Sequence, residues 1–441
     1  MHLPEKVQQA LSKTGITELN TIQKAALEAI EQHKDTLLLA PTGSGKTLAF
    51  LLPVLLRLDP NAKGIQCLIL SPTRELALQI ESVWQQLSTG FKVNTCYGGH
   101  SMKTEMNNLS QPPAVLIGTP GRIIDHLHRT SIDLKTTRIL VLDEFDKALS
   151  MGFQEQMQEV VTALPSLERR ILASATDKLN IPSFLGFEHP QTLNFTAEPE
   201  KSTDGLQLRL VPCPEKDKIK TLFRLLCSTG NTPTLIFCNN RESAERTNQI
   251  LQEWSIPSAY FHGGMDQIER EKALIKFRNG STVFLVASDL AARGLDIPEV
   301  RNVIHYHLPF KKEDFIHRNG RTARMFASGT AYILLHKEEK IPTYLDEVPE
   351  VYQLPEVPEL PPAAPFMTLY ISGGKKDKIS KMDIVGFLCQ KGNIEKSDLG
   401  KIELLDYMSF AAVRYEVAEQ VVKAVQAEKM KGKKYKIGIA R

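Results

Sequence analysis

The sequence predicts an α/β chain: two parallel-sheet domains in tandem, then a small α+β domain. Three observations carry that expectation. Short apolar runs alternate with longer amphipathic stretches, the alternation stops once and restarts, and the composition changes after Leu335. The runs TLLLA (36–40), CLIL (67–70), AVLIG (114–118), ILVL (139–142) and ILASA (171–175) read as strands buried on both faces, as the strands of βαβ units are. A polar segment, TAEPEKSTDG (196–205), interrupts them. TLIF (234–237), SAYFHG (258–263), VFLVAS (283–288), VIHYH (303–307) and AYILL (331–335) then repeat the pattern. Domains are therefore expected at 1–200 and 205–338. Residues 339–365 read as a linker, because residues 337–366 hold seven prolines and seven acids, a composition that favours an extended, semi-rigid chain. Residues 366–441 carry strand-like TLYISGG (368–374) and SFAAVRYE (409–416) beside helical patterns, enough for one small domain.

At 441 residues and 42% hydrophobic, the chain can bury several cores. Its first residues show no basic-then-apolar leader, and no apolar run nears ~18 residues, so neither secretion nor membrane spanning is expected. The six cysteines are scattered without a CxxC pair, which argues for reduced thiols in a cytoplasmic protein and against a zinc or disulfide framework. Net charge is +3, yet residues 366–441 hold 15 Lys/Arg against 9 Asp/Glu. A basic block behind a near-neutral body points to a polyanion-binding module. The plainer alternative is a solvated lysine face.

APTGSGKT (40–47) follows a strand-like run and opens the helical pattern KTLAFLLPVLL. This is a phosphate loop: small residues let backbone N–H groups face phosphate oxygens. Thr42, Gly43, Ser44 and Gly45 line it, Lys46 reaches the β/γ-phosphates, and the Thr47 hydroxyl binds Mg²⁺. VLDEFDKALS (141–150) sets three acids within four positions at the end of another strand. Asp143 would hold the metal, directly or through water, and Glu144 would orient the attacking water. Such crowding is tolerable beside a divalent cation and a lysine; a solvated acidic turn is the bland alternative. The pair specifies nucleoside triphosphate hydrolysis but not what it drives.

Over about residues 10–335 the chain resembles the DEAD-box RNA helicases. DEFD (143–146) stands at the DEAD position, with Phe145 in place of Ala. GITELNTIQ (15–23) is similar to the adenine-reading motif, in which Gln23 makes a bidentate amide contact; the family's upstream aromatic would fall at or before Met1. PTRELA (72–77), GG (98–99) and TPGR (119–122) match first-domain RNA segments and imply contacts from Arg74, Gly99, Thr119 and Arg122. SAT (174–176) matches the coupling motif, implying that Ser174, Thr176 and Asp146 link ATP state to domain closure. LIFCNN (235–240), HGGMDQIER (262–270), SDLAARGLD (288–296) and HRNGRTAR (317–324) match the second domain. There Gly264 is matched to RNA, Asp296 to the ribose, and Arg321 and Arg324 to arginine fingers on the γ-phosphoryl. Arg270 either contacts RNA or anchors its helix, the former being preferred. Arg318 is read as an interface support, His262 and His317 as hydrogen-bonding supports, and Trp84 and Trp254 as packing residues. Motif VI departs from the family at Asn319 and Ala323. The resemblance implies two RecA-like domains using ATP and Mg²⁺.

GGKKDKI (373–379), GKIELLDYMSFAAVRYE (400–416) and KMKGKKYKI (429–437) resemble the RRM-like RNA-binding domain of DbpA-type helicases. That resemblance implies recognition of a large-subunit, 23S-type rRNA hairpin and of pre-ribosomal particles. Tyr370 falls at a stacking position, with Phe410 occupying part of the other and Ala412 where a second aromatic is usual. Lys375, Lys376, Lys378 and Lys433 would then supply basic contacts. The expected function is an ATP-dependent RNA helicase acting in ribosome assembly; an ATP-gated RNA clamp or chaperone is the alternative. Nothing in the sequence demands more than a monomer.

Overall fold

Strand residues alternate in facing, so an apolar run with helices on both sides of its sheet is buried throughout. The computed structural model describes residues 4–440 apart from 42, 100, 177–179, 188, 197–205, 290–299, 321, 323–328 and 346. In the first domain β1 (Asp35–Leu39), β2 (Cys67–Leu70), β3 (Val93–Cys96), β4 (Val115–Gly118), β5 (Ile139–Leu142), β6 (Arg169–Ser174) and β7 (Gln191–Asn194) form one parallel sheet. Its order is 3-4-2-5-6-1-7. Leu38, Ile69, Ile117 and Val141 pack with Phe50 and Trp84 on one face, while Leu68, Leu116, Leu140 and Leu172 pack with Ile123, Phe145 and Met157 on the other. Each such side chain, fully buried, contributes about 1.5–3 kcal/mol.

The second domain repeats the plan. Strands β8 (Leu206–Cys213), β9 (Thr234–Cys238), β10 (Ser258–Phe261), β11 (Phe284–Ser288), β12 (Asn302–His305), β13 (Gly329–His336) and β14 (Glu350–Val351) run parallel in the order 10-11-9-12-13-8-14. Counted from its own first strand, that is the first sheet's order again. The strand β14 comes from the proline-rich segment, which is laid along this domain and not free of it. Tyr352 packs edge-on to Tyr332 with centroids 5.3 Å apart. Further along, Arg224 Nη2 donates to the Pro355 carbonyl at 2.6 Å and Asn231 Nδ2 to that of Ala363 at 2.7 Å.

The C-terminal domain has more strands than the two expected. Antiparallel β15 (Phe366–Ile371), β16 (Leu399–Leu404), β17 (Ser409–Arg414) and β20 (Ile437–Ile439) take the order 16-17-15-20, and β18 (Lys429–Met430) with β19 (Lys433–Lys434) adds a hairpin. Leu369, Ile371, Ala411 and Val413 bury against Ile384, Leu388, Val421 and Val425, residues of the helices Lys381–Gly392 and Tyr415–Val425. The opposite sheet face meets the second domain: Phe410 and Ala440 cluster with Ile275, and Thr368 Oγ1 lies 2.6 Å from Ser281 Oγ. The chain separates into two compact units between 202 and 203, and the second and C-terminal domains share one. No helix among the described residues is long and apolar enough to cross a membrane.

Candidate ATP site and RNA-facing surfaces

Strands β5, β6 and β1 are neighbours, so the loops at their carboxyl ends converge where ligands of open α/β sheets bind. After β1, Gly43 and Gly45 take φ of 87° and 89°, the left-handed region that favours glycine. A Cβ on Gly45 would stand 2.6 Å from Gln23 Nε2, so this position also needs glycine for space. Gln23 closes a capping box with Asn20 at the start of the helix Thr21–Gln32, and Asn20 Nδ2 donates to the Ser44 carbonyl at 2.9 Å. The start of the helix Thr21–Gln32 is thereby fastened to the glycine-rich loop after β1. Lys46 Nζ folds back onto the carbonyls of Ala40 and Pro41, at 2.5 and 2.7 Å. Thr47 sits in the first turn of the helix Lys46–Arg57.

Across β6 stand the acids. Asp143 is buried, and its carboxyl is pushed up to about 7 by that burial and by Glu144, against the pull of Lys46. Glu144 adopts φ 45°, ψ 50°, a left-handed conformation costing on the order of 1–2 kcal/mol for a non-glycine residue. Its carboxylate accepts from buried Lys147 Nζ at 2.9 Å. Burial also raises the Asp146 carboxyl, opposed by a hydrogen bond with Ser174, and Asp146 Oδ1 has no hydrogen-bond partner among the described residues. Ser174 Oγ in turn accepts from the Thr176 N–H at 3.1 Å. Glycine-rich backbone beside acids whose burial disfavours their charge fits a nucleotide accompanied by a divalent cation. Phe145 has 0% exposure and packs in the core beneath with Leu142 and Met157.

The first-domain RNA candidates leave adjacent strands. Arg74 opens the helix after β2, Gly99 (φ 93°) lies in the turn after β3, and Thr119 and Arg122 begin the helix after β4. In the second domain Arg318 is a buried hub. Its Nε and Nη2 each reach a carboxylate oxygen of Asp289 at 2.6 Å, Nη2 donates to Asn239 Oδ1 at 2.9 Å, and Nη1 to the His307 carbonyl at 2.5 Å. The unusual Asn319 faces His305 Nε2 at 2.9 Å, and burial, then Arg318, pushes that imidazole down to about 3. His262 Nδ1 accepts from the Gly264 N–H at 3.1 Å, while Nε2 lies 2.7 Å from Glu245. Arg270 is buried with its guanidinium 4.9 Å over the Phe261 ring, the packing that the helix-anchoring alternative calls for. Trp84 is 1% exposed and Trp254 packs edge-on to Phe223. Thr42, Asp296, Arg321, Ala323 and Arg324 lie outside the described residues.

In the C-terminal domain Lys375, Lys376, Lys378 and Lys433 are all exposed. Lys431 Nζ donates to the Lys378 carbonyl at 2.9 Å, and Lys433 Nζ stands 3.5 Å from Asp377. Two lysine segments some fifty residues apart thus form one basic surface. Gly373 permits it, since a Cβ there would lie 2.5 Å from the Tyr435 ring. Tyr370, expected to stack on a base, is partly buried and packs edge-on to buried Phe410 at 5.8 Å, in the patch where the sheet meets Ile275. A sequence pattern cannot tell an RNA platform from a domain contact, because both want aromatics on the open sheet face.

Three family models match the chain: DEAD/DEAH box helicase over 20–181, helicase conserved C-terminal domain over 217–326, and DbpA RNA binding domain over 368–439. The ATP-dependent RNA helicase DbpA of Escherichia coli K12 is 32% identical over 100% of this chain and 98% of its own. The chain belongs to the DEAD-box ATP-dependent RNA helicases. A Bacillus subtilis DbpA is 29% identical over 98% of this helicase and 97% of its own length. The solved structure of Saccharomyces cerevisiae Dbp5 bound to RNA and ADP BeF3 superposes with a TM-score of 0.68 at 26% identity, covering 76% of this chain and 88% of that one.

In this helicase the structure brings Gln23, Ser44 and Gly45 together, and sets Lys46 beside Asp143, with Glu144, Asp146 and Ser174 next to it. Three neighbours of the candidate residues escaped the sequence. Lys147, the partner of Glu144, was signalled only by an i,i+3 acid–base spacing. Asp289 lies inside a matched motif but reads there as one polar residue among several. Glu105, which accepts from Arg122 Nε at 2.7 Å, had no signal, because its partners are distant in sequence.

Proposed function

We propose that this helicase remodels structured RNA of the large ribosomal subunit during its assembly, as a cytoplasmic monomer. The observation that carries the reading is the C-terminal domain, which matches the DbpA RNA-binding family and gathers Lys375, Lys376, Lys378 and Lys433 on one exposed surface. With its aromatic face engaged by the second domain, phosphate contacts outweigh base stacking there. Six unpaired thiols are consistent with a reducing compartment. At the ATP site, backbone amides of residues 43–47 and Lys46 take the phosphates, Gln23 reads adenine, Asp296 takes the ribose, and Glu144 orients the water. Thr47 and Asp143 would hold Mg²⁺, which when bound neutralises phosphate charge. Arg321 and Arg324 supply further cations to the γ-phosphoryl.

The test is equilibrium binding of the full-length protein to a 23S-type rRNA hairpin and to an unrelated hairpin of equal length. The rRNA hairpin should bind at least roughly 10-fold tighter, and neutralising the four lysines should flatten the salt slope by about 0.9 per lost phosphate contact. Equal affinities with an unchanged slope would refute the reading. An ATP-gated clamp would hydrolyse ATP without releasing strands, and no observation favours it.

A further inference from the structure

The first domain buries a carboxylate that belongs to none of the motifs. Glu105, 5% exposed, lies in the helix Met102–Leu109. Its Oε2 accepts from Arg122 Nε at 2.7 Å and stands 2.7 Å from His126 Nε2, while Oε1 accepts from the Tyr97 N–H at 3.3 Å. His126 is fully buried, with Nδ1 2.7 Å from Ser131 Oγ. Asp125 also faces Arg122, at 3.9 Å. One side chain therefore ties the turn leading into Gly98–Gly99 to the first turn of the helix Pro120–His128. Cys96, Glu105 and His126 also have the donor set of a metal site. Burial holds the Cys96 thiol protonated, however, and the carboxylate already faces a guanidinium, so arginine is the cation this pocket takes.

We propose that Glu105 is the positioning residue of the first domain's RNA grip, holding Arg122 and the Gly98–Gly99 turn in the one arrangement that meets an RNA backbone. With Nε committed, the Arg122 rotamer is fixed on folding, and its ordering entropy is not lost again on binding. The inference rests on the proposed RNA roles of Arg122 and Gly99. Its test is steady-state ATPase of the full-length protein at saturating Mg-ATP with poly(U) titrated. Glu105→Ala should raise the KM for poly(U) by roughly 10-fold, the value of a charge-assisted hydrogen bond, with kcat at saturating RNA within about twofold. Glu105→Gln, which keeps an acceptor, should recover part of that loss, and it carries the test should the alanine variant not fold. Arg122→Ala should raise KM similarly, and the double variant should add little, since the two residues act as a unit. An unchanged KM in Arg122→Ala would sink the RNA reading of Arg122 itself. Arg122→Ala raising KM while both Glu105 variants leave it unchanged, or multiplicative effects in the double variant, would overturn the positioning role alone.

Discussion

The first domain ends β5 in three carboxylates, two of them raised by burial; the second ends β11 in Asp289 and gives it an arginine. The sheets share one strand order, but β11 corresponds to β4 and the counterpart of β5 is β12, so the two charged clusters leave different strands of one plan. Around Asp143 there is a raised carboxyl, a left-handed Glu144 and an Asp146 oxygen without a hydrogen-bond partner among the described residues. Around Arg318 each donor nitrogen meets an oxygen, and Phe237 stacks on the guanidinium at 5.0 Å. A fold can thus hold charge ready for a ligand at some cost in stability, or consume it internally as a strut. Both devices stand at the carboxyl ends of strands, on non-equivalent strands of the two sheets.

Variants can break that comparison, and the largest effects should come from struts. Asp289→Ala would strand the buried Arg318 and should cost the second domain about 3–5 kcal/mol, read by chemical denaturation. A loss under about 1 kcal/mol would mean the network is only a surface ion pair. Phe145→Ala, a core truncation of comparable size, should cost the first domain about 3–5 kcal/mol while turnover per folded molecule changes less than about twofold. A larger change in turnover would mean the Phe tunes the neighbouring acids. Glu144→Gln should lower RNA-stimulated ATPase at least roughly 100-fold, the scale of a lost catalytic group, with RNA binding retained. Normal turnover would remove Glu144 from its role.

The smallest effect expected is a pH dependence in the second domain. His305 titrates near 3 in the fold against an ordinary 6.5, so the stability it contributes is present above pH 6.5 and lost as pH falls toward 3. Between pH 6.5 and 5 that loss is about 2 kcal/mol, at 1.36 kcal/mol per unit. His305→Gln should show an acid-induced loss smaller by that amount in thermal unfolding. An identical loss would place the titration elsewhere.

Much of this contrast was legible beforehand. The apolar runs located ten of the strands in the two large sheets, and the phosphate loop and DEFD segment located the chemistry, because each is local in sequence. VNTC, QTLN, LQLRLVPC and the two-residue β14 were missed as strands: β3 and β7 are edge strands with few apolar residues, β8 next to an edge is only partly buried, and β14 is an exposed edge inside the proline-rich segment. Residues that act through distant partners gave no signal, as with Glu105 and with the docking of Phe410 on Ile275. Phe145 looked like an oddity within a catalytic motif and is a core residue.

The most direct test of the contrast is a matched pair, Asp143→Asn and Asp289→Asn, unfolded thermally at pH 8 without nucleotide. A raised carboxyl is favourable to the fold only while protonated, so above about pH 7 Asp143 carries its full burial cost. Asp143→Asn should therefore raise the unfolding midpoint of the first domain, by at least about 2 °C, while abolishing ATP turnover. Asp289→Asn should lower that of the second. Equal destabilisation by both would contradict the view that one domain stores its charge for a ligand and the other uses it as structure.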